Sequence, residues 1–280
     1  MDIASLELVA KKSTNELFKV VQQMSIEEVG YLLLNPLDEY TALKKALPKM
    51  PPDAIQIAWT GNTGEGLLKQ SISFVKIISE FYEKTTQKRL QGAKILDYGC
   101  GWGRHLRLMY KFTLPENIYG CDAWKQSLQL CLDSGIRANL KICDEVPKKI
   151  PFNNVKFDLI YSFSIFTHLS EKTALAVISA LRGAISDHGI LAVTIRPIEY
   201  WKDHDQKQSS VDVMKMESEH KTRGFAFTPH GRSPIKGDIT YGDTSISREY
   251  IAEHWKGWEI AGEELFPPDP YQNIIFLQRT

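Results

Sequence analysis

The sequence is poor in cysteine and carries no excess charge of either sign. It contains 4 cysteines, and its 34 lysines and arginines balance 34 aspartates and glutamates, for a formal net charge of +0. The cysteines form neither a C-x-x-C pair nor a zinc spacing, which argues against a disulfide scaffold or a zinc module. We therefore expect a reducing, cytoplasmic environment, and the neutral charge gives no reason to expect a nucleic-acid partner.

Long apolar runs are also absent. No segment approaches the roughly 18 apolar residues that indicate a membrane-spanning helix. The first residues, M-D-I-A-S-L-E-L, lack a basic segment followed by an apolar one, so we expect no signal peptide. A chain of 280 residues can bury a substantial core and fits one domain with additions. Its oligomeric state is left open by these features.

The most informative stretch runs from Lys94 to Met109, K-I-L-D-Y-G-C-G-W-G-R-H-L-R-L-M. A short apolar run is followed by Gly99, Gly101 and Gly103, and then by apolar residues at helical spacing. This pattern predicts a strand, a tight turn and a helix, an arrangement that leaves backbone N–H groups open to a ligand. Glycine suits such a turn because a side chain would hold the ligand off the backbone or forbid the conformation.

An acidic residue, Asp97, ends the apolar run just ahead of the glycines. A carboxylate beside the turn would repel a pyrophosphate and attract an amino group or a sulfonium. A dinucleotide-binding G-x-G-x-x-G pattern would need a glycine at position 104, which is occupied by Arg104. The pattern therefore favours a cationic ligand group over a dinucleotide, with a plain glycine turn as the remaining alternative.

The segment D-Y-G-C-G-W-G resembles the glycine loop of class I methyltransferases that use S-adenosylmethionine (SAM). The resemblance covers roughly residues 60–280 and is closest over 94–195. It implies a Rossmann-like α/β fold with a mostly parallel sheet and an antiparallel last strand. It also implies methyltransferase activity, SAM as the cofactor, and a cofactor site that includes Asp97 and the three glycines.

Further cofactor residues are expected at the ends of the next strands. Asp122 ends a second apolar run 19 residues after Gly103, close to the spacing at which a carboxylate meets ribose hydroxyls. The resemblance implies that Asp122 binds the ribose and that Ala123 and Trp124 flank the adenine. It further implies that Asp144, after a third strand, accepts the adenine amino group. For Trp124, simple packing is an equally good explanation.

Two continuous apolar runs, Phe157–Phe163 and Ile190–Ile195, predict buried strands of a parallel sheet. Between them, Ser170 is expected to cap a helix that continues through Ile185, and Asp187-His-Gly189 is expected to turn into the second strand. Because ligands bind beyond the carboxyl ends of such strands, Ser162 is assigned to the cofactor site.

The chain is expected to have three parts. Residues 1–58 show helical periodicity and end in a proline-rich connector, which predicts an N-terminal extension that lies on the catalytic domain or serves in dimerisation. Residues 59–280 are predicted to form the methyltransferase domain. Within it, periodicity fails over 196–246, a polar stretch rich in aromatic residues and histidine. We interpret this stretch as a long loop region, an insertion that binds the methyl acceptor.

Methyl transfer to an alcohol requires a base that takes the hydroxyl proton, and histidine is the usual one. The main candidates are His168, just beyond the fourth strand, and His230, in the insertion; His204 is a weaker one. His204 also lies near other residues that can bind metals, namely Asp203, Asp205 and His220. Their spacing matches no compact ligand pattern, so no metal is expected.

The acceptor is the least defined part of the prediction. The pattern F-x-F-x-P-H-G followed by Y-G-D-T resembles methyltransferases of bacterial glycan and secondary-metabolite biosynthesis. This resemblance implies a small-molecule acceptor, a hydroxyl of a sugar or a related compound. The alternatives are a nicotinamide-dependent oxidoreductase on the same α/β plan and a catalytically inactive SAM-binding module that acts as an interaction partner.

Overall fold

The computed structural model describes residues 2–35, 38–205, 211–235 and 237–280, without the side chains of His204 and Asp205. The chain divides into two compact units, Met1–Ile142 and Cys143–Thr280. Unit 1 begins with helices, which are α1 (Ile3–Lys12), α2 (Thr14–Val21), α3 (Ile26–Leu34), α4 (Thr41–Ala46), α5 (Asp53–Thr60) and α6 (Gly64–Thr86). In the described part of the chain, no helix combines the length and apolarity needed to cross a membrane.

Local sequence explains where these helices begin and end. Ser25 and Glu28 form a capping box at the start of α3, each side chain accepting the other residue's backbone N–H. Helix α5 follows Pro52 and ends at Gly61, whose φ of +72° supplies the left-handed residue that commonly terminates a helix. The helices predicted within residues 1–58 are therefore present, while the domain boundary at residue 58 stays a prediction.

The N-terminal helices pack on the remainder of unit 1. The rings of Phe18 and Tyr110 lie 4.8 Å apart, and Lys111 Nζ donates to Gln22 O over 2.7 Å. Arg137 Nε donates to the carbonyl of Ala46, at the end of α4, over 2.9 Å. These contacts place the extension on the part of unit 1 that carries the strands.

The rest of unit 1 consists of β1 (Ile95–Tyr98), 3₁₀ helices Leu106–Lys111 and Pro115–Asn117, β2 (Ile118–Asp122), α7 (Lys125–Asp133) and β3 (Asn139–Ile142). Strand β2 pairs in parallel with β1 and β3. The helix expected after the glycine turn is a six-residue 3₁₀ helix. Gly103 has a φ of +82°, outside the helical region, so a helix can begin only after this residue.

Unit 2 consists of β4 (Phe157–Ser162), α8 (Glu171–Ala184), β5 (Ile185–Ile195), α9 (Tyr200–Asp205), α10 (Val213–Arg223), β6 (Phe225–Pro229), β7 (Gly242–Ile246), α11 (Arg248–His254), β8 (Trp258–Glu264) and β9 (Asn273–Arg279). Strands β4 and β5 are parallel, whereas β9 is antiparallel to β5 and β8. The strand order in the seven-stranded sheet is β3-β2-β1-β4-β5-β9-β8. The predicted Rossmann-like sheet with an antiparallel last strand is confirmed.

One boundary in unit 2 was predicted wrongly. The turn expected at Asp187-His-Gly189 lies inside β5, and Ile185 belongs to this strand and not to the preceding helix. Ile185 pairs with Phe157, after which the register shifts so that Ile190 pairs with Leu159. The irregular pairing absorbs the polar residues that the sequence pattern indicated as a turn.

The expectation of a long loop region over 196–246 was also wrong. This stretch contains α9, α10 and the antiparallel pair β6–β7, built around a small core of Trp201, Met216 and Ala226. Met216 is the one buried residue of α10, so this helix has almost no apolar stripe to read in the sequence. The insertion is a folded element with its own packing.

Candidate active site

The glycine turn after β1 has a backbone that favours glycine at each predicted position. Gly99, Gly101 and Gly103 have φ values of +80°, +53° and +82°. A Cβ at Gly103 would lie 3.0 Å from Ile136 Cγ1 and 3.2 Å from Cys131 Sγ, so a side chain there would be both strained and crowded. Gly99 and Gly101 are only half-buried, which leaves part of the turn open to a ligand.

Asp122, the last residue of β2, is bound to the glycine turn. Its Oδ2 accepts the backbone N–H of Gly101 over 2.9 Å, and its Oδ1 accepts that of Trp124 over 2.8 Å. Burial raises the pKa of Asp122, although these N–H groups act in the opposite direction. The Ser127 hydroxyl and the backbone N–H of Ala123 also lower the pKa of Asp122, which as a carboxylate is the kind of acceptor that suits ribose hydroxyls.

The other predicted cofactor residues of unit 1 lie close to this pair. Asp97 is a buried residue of β1, in the strand that leads into the turn. Ala123 and Trp124 follow Asp122 directly, and Trp124 is 38% exposed at the start of α7. The ring of Trp59, which the sequence did not single out, lies edge-on to Trp124 with centroids 6.1 Å apart.

Two further cofactor predictions fall in unit 2. Ser162 is the fully buried last residue of β4, and Asp144 is exposed just beyond the end of β3. Contact of any of these residues with a cofactor remains a prediction.

Unit 2 brings the two candidate bases together. The rings of His168 and His230 lie 6.2 Å apart, and Tyr241 stacks on His168 with centroids at 4.9 Å. The ring of Tyr241 is also within 5.6 Å of the His230 ring, at a steep angle. The two histidines nevertheless differ in their hydrogen bonding, and so in what each can do chemically.

Both ring nitrogens of His168 are occupied. Nδ1 donates to the carbonyl of Gly242 over 2.7 Å, and Nε2 accepts from Arg196 Nη2 over 3.2 Å. Burial and the adjacent Arg196 charge lower the pKa of His168 to about 4. His168 is therefore a neutral member of a hydrogen-bonded network, with no lone pair left to accept a proton.

We expect the stability of the protein to record this burial as a pH dependence. The folded pKa of His168 is about 4 and its ordinary value is 6.5, so folding favours the neutral ring. That contribution is complete above the ordinary value and is lost as the pH falls to about 4. The difference in unfolding free energy between wild type and His168→Asn should therefore shrink by about 3 kcal/mol between about pH 7 and about pH 4. Urea titrations measure it, and a constant difference would contradict the assignment.

His230 is arranged differently. Its Nε2 donates to Asp243 Oδ2 over 2.9 Å, and the side chain is 40% exposed. Within the described residues, Nδ1 forms no hydrogen bond, so its lone pair is open. A histidine whose one nitrogen is held by a carboxylate and whose other nitrogen is open has the arrangement of a general base.

Asp243 connects His230 to the buried part of the network. Its Oδ1 accepts from Arg196 Nη1 over 2.6 Å and from the Tyr200 hydroxyl over 3.0 Å. Burial alone would raise the pKa of Asp243, but the Arg196 charge and the His230 hydrogen bond lower it to about 2. Asp243 is therefore ionised at neutral pH and can hold His230 in one tautomer.

Sequence reasoning did not identify Asp243, Arg196 or Tyr200 as site residues. The signal available for Asp243 was its place in the Y-G-D-T pattern after His230. Arg196 follows the last residue of β5, where a charged side chain after an apolar strand marks the ligand-binding end of a sheet. Their pairing joins residues 47 positions apart and could not be read from local patterns.

The residues that raised the question of a metal do not form a site in the described part of the chain. Among the described residues, no group of three or more potential ligands could hold a metal ion. The side chains of His204 and Asp205 lie outside the described part. His220 donates or accepts through Nδ1 with the Ser245 hydroxyl over 2.7 Å, a contact within the insertion.

Comparison with known proteins gives a match for the region from β1 into β5. Residues 95–189 match a family profile described as a methyltransferase domain. A bovine protein (Bos taurus) named probable tRNA methyltransferase 9B is 24% identical over 161 residues, which cover 51% of this chain and 34% of that protein. A ubiquinone biosynthesis O-methyltransferase of Pelagibacter ubique is 30% identical over 104 residues, which cover 36% of this chain and 42% of that protein. The chain thus matches less than half the length of each relative.

A solved structure shares the fold. The PH0226 protein from Pyrococcus horikoshii OT3 superimposes with a TM-score of 0.51 at 15% sequence identity, covering 74% of this chain and 90% of that chain. The likeness concerns the arrangement of helices and strands alone.

Proposed function

We propose that this chain, whose residues 95–189 match a methyltransferase domain, is a SAM-dependent methyltransferase of class I that methylates a hydroxyl group of a small molecule. The observation that carries the proposal is the pair of His230 and Asp243, in which Nε2 is bound at 2.9 Å and Nδ1 is open. An alcohol keeps its proton near neutral pH, so an enzyme that methylates it requires a base of this kind. The match to a methyltransferase domain argues against the alternative of a nicotinamide-dependent oxidoreductase.

The residues of unit 1 fit SAM as the methyl donor. Gly99 and Gly101 are partly exposed and carry no side chains, and the Asp122 carboxylate is an acceptor suited to ribose hydroxyls. We assign the ribose to Asp122 and the adenine to Ala123 and Trp124. When bound, SAM supplies a methyl group on a sulfonium, which is already activated for displacement.

Asp97 and Gly103 complete the cofactor residues that we assign in unit 1. In unit 2, we assign Asp144 to the adenine amino group and Ser162 to the end of the cofactor site.

The residues of unit 2 then manage the proton. With SAM bound to supply the methyl group, His230 Nδ1 would take the proton that the acceptor hydroxyl gives up. Asp243 stabilises the resulting imidazolium through Nε2, since it stays ionised with a pKa of about 2. Arg196 holds Asp243 in place through Oδ1. His168 supports Arg196 from its other side and takes no proton, because both of its nitrogens are engaged.

The chemical class of the acceptor is supported by the names of two relatives and by the net charge. The relative from Pelagibacter ubique is named an O-methyltransferase, which supports a hydroxyl, whereas the bovine relative is named a probable tRNA methyltransferase. The formal net charge of +0 opposes a polyanionic acceptor, because nucleic-acid binding needs many cations against phosphates.

Four cysteines that form no disulfide support a cytoplasmic location.

A transfer assay with methyl-labelled SAM tests this proposal. The wild-type chain is incubated with separate panels of sugars and other alcohols, of amines, and of unmodified tRNA. Label in the alcohol panel that depends on His230 supports the proposal. Label in tRNA alone would move the acceptor to nucleic acid, and label in no panel despite binding of S-adenosylhomocysteine would indicate an inactive SAM-binding module.

Binding of S-adenosylhomocysteine should depend on Asp122. Asp122→Ala removes the acceptor for the ribose hydroxyls, and we expect affinity to fall by about 1–3 kcal/mol, the cost of leaving buried polar groups unpaired. Calorimetry gives the dissociation constant directly. Asp133→Ala, at the exposed end of α7, is the matched control and should bind as wild type. Equal affinity of Asp122→Ala and wild type would remove Asp122 from the site.

A further inference from the structure

Helix α5 of unit 1 places an aromatic ring on the glycine turn. Helix α5 carries Trp59 near its end, and a Cβ built on Gly101 would lie 3.7 Å from Trp59 Cζ3 and 3.8 Å from Cε3. The indole therefore lies at ordinary contact distance over the side-chain face of Gly101. Trp59 is half-buried, so part of its ring remains open to solvent.

Helix α5 is held in this position by a buried glutamine. Gln56 is 2% exposed, and its Nε2 donates to Pro51 O over 2.8 Å, at the start of the helix. Its Oε1 accepts the backbone N–H of Gly64, which begins α6, over 3.4 Å. The Gln56 side chain thus connects α5 to the segment that precedes it and to the start of α6.

The connector ahead of α5 is held just as firmly. Arg107, which is 3% exposed, donates from Nη1 to Lys49 O over 3.1 Å and from Nε to Gly103 O over 3.4 Å. This guanidinium therefore links the connector to the glycine turn itself. The hydrogen bonds of Gln56 and those of Arg107 thus both fix the position of Trp59 relative to the glycine turn.

The ring also faces the residues that we assign to the adenosyl group. Gly101 donates to Asp122, and Trp124 follows Asp122 and meets the Trp59 ring edge-on at 6.1 Å and 83°. Two indoles at right angles, beside a carboxylate suited to ribose hydroxyls, form an aromatic corner for a flat heterocycle on a sugar. Aromatic side chains stack on nucleobases of any kind because every base has a π face.

We propose that Trp59 is a cofactor-binding residue, whose indole packs on the adenosyl group held at the glycine turn. The inference rests on the proposed function, since it takes SAM as the ligand of this turn. It makes helix α5, which crosses the predicted domain boundary at residue 58, part of the cofactor site.

Four variants test the role of the ring by calorimetry with S-adenosylhomocysteine. Trp59→Ala and Trp59→Leu should both lose about tenfold to a hundredfold in affinity, the range found when a stacking aromatic is removed from a nucleobase. Trp59→Phe keeps a π face and should stay within about threefold of wild type, well inside the loss expected without the ring. Ile57→Ala, an exposed position on the same helix, is the matched control and should bind as wild type.

The outcomes separate this inference from the proposed function. Failure of the wild-type chain to bind S-adenosylhomocysteine would overturn the proposed function, and this inference with it. Wild-type affinity in Trp59→Leu would show that only apolar packing is needed and would overturn the role of the ring. An equal loss in Trp59→Phe and Trp59→Leu would do the same, and this pair decides the matter even where Trp59→Ala does not fold.

Discussion

Replacing His230 by alanine is expected to lower turnover by about a hundredfold or more while leaving the affinity for S-adenosylhomocysteine unchanged. The loss follows because the hydroxyl proton would have no acceptor within the site. Affinity is preserved because His230 bonds to Asp243 over 2.9 Å and belongs to the acceptor part of the protein. Initial rates with the acceptor found in the transfer assay, together with calorimetry, measure the two effects separately.

Two histidine variants serve as controls for this result. His188→Ala removes an exposed histidine from β5 and should have wild-type rates. His168→Asn keeps a donor toward Gly242 and should retain far more activity than His230→Ala, because His168 has no open nitrogen. Wild-type turnover in His230→Ala would place the base elsewhere, or would indicate an acceptor such as an amine or a thiolate that needs none.

The sequence predicted those parts of the fold that depend on local patterns. Continuous apolar runs gave β4 and most of β5 because strands buried on both faces leave no polar alternation. Alternate glycines gave the turn after β1 because positive φ values are strained for other residues. Ser170 caps α8 as predicted, since a serine oxygen accepts an otherwise unpaired N–H group of a first helical turn.

The elements that were missed depend on tertiary contacts. Helix α10 buries only Met216, so its helical state is set by its surroundings and not by an apolar stripe. The indole nitrogen of Trp201, in α9, donates to Ser245 over 2.7 Å, a contact across 44 residues that no local pattern contains. The folded insertion therefore appeared in the sequence as an irregular polar stretch.

The candidate site shows the same division. His230 was predicted as a base from its residue type and its place in the insertion, but its orientation by Asp243 was not. Strands β6 and β7 bring the two residues together. Pro229 of β6 pairs with Gly242 of β7, and His230 and Asp243 are the residues that directly follow these two in the chain. A hairpin register converts a separation of 13 residues into a hydrogen bond.

Removal of the Asp243 carboxylate is expected to destabilise unit 2 strongly. Arg196 and Asp243 are 8% and 4% exposed and form a salt bridge of 2.6 Å. Asp243→Ala would leave the Arg196 guanidinium buried with only the Thr167 carbonyl and its other neutral contacts. Breaking a buried pair in this way costs about 3–5 kcal/mol. Urea titration followed by circular dichroism should show the loss as a lower midpoint.

A double-mutant cycle separates the pair from the general effect of truncation. In the variant that carries both Arg196→Met and Asp243→Ala neither charge of the pair remains, so it should be more stable than the sum of the single changes implies, by about 1–3 kcal/mol. Asp187→Ala, which breaks an exposed pair with Arg279 at 3.4 Å, is the matched control and should cost less than about 1 kcal/mol. Additive single and double changes would show that Arg196 does not depend on Asp243.

The same pair predicts a second, more acidic dependence of stability on pH. The folded pKa of Asp243 is about 2 and its ordinary value is 3.8, so folding favours the carboxylate. Its contribution is complete above the ordinary value and is lost as the pH falls toward about 2, below the range in which His168 titrates. Asp243→Ala should lack this loss, whereas His168→Asn should keep it. The loss of stability between about pH 6.5 and about pH 4 is thus assigned to His168, and the loss between about pH 4 and about pH 2 to Asp243.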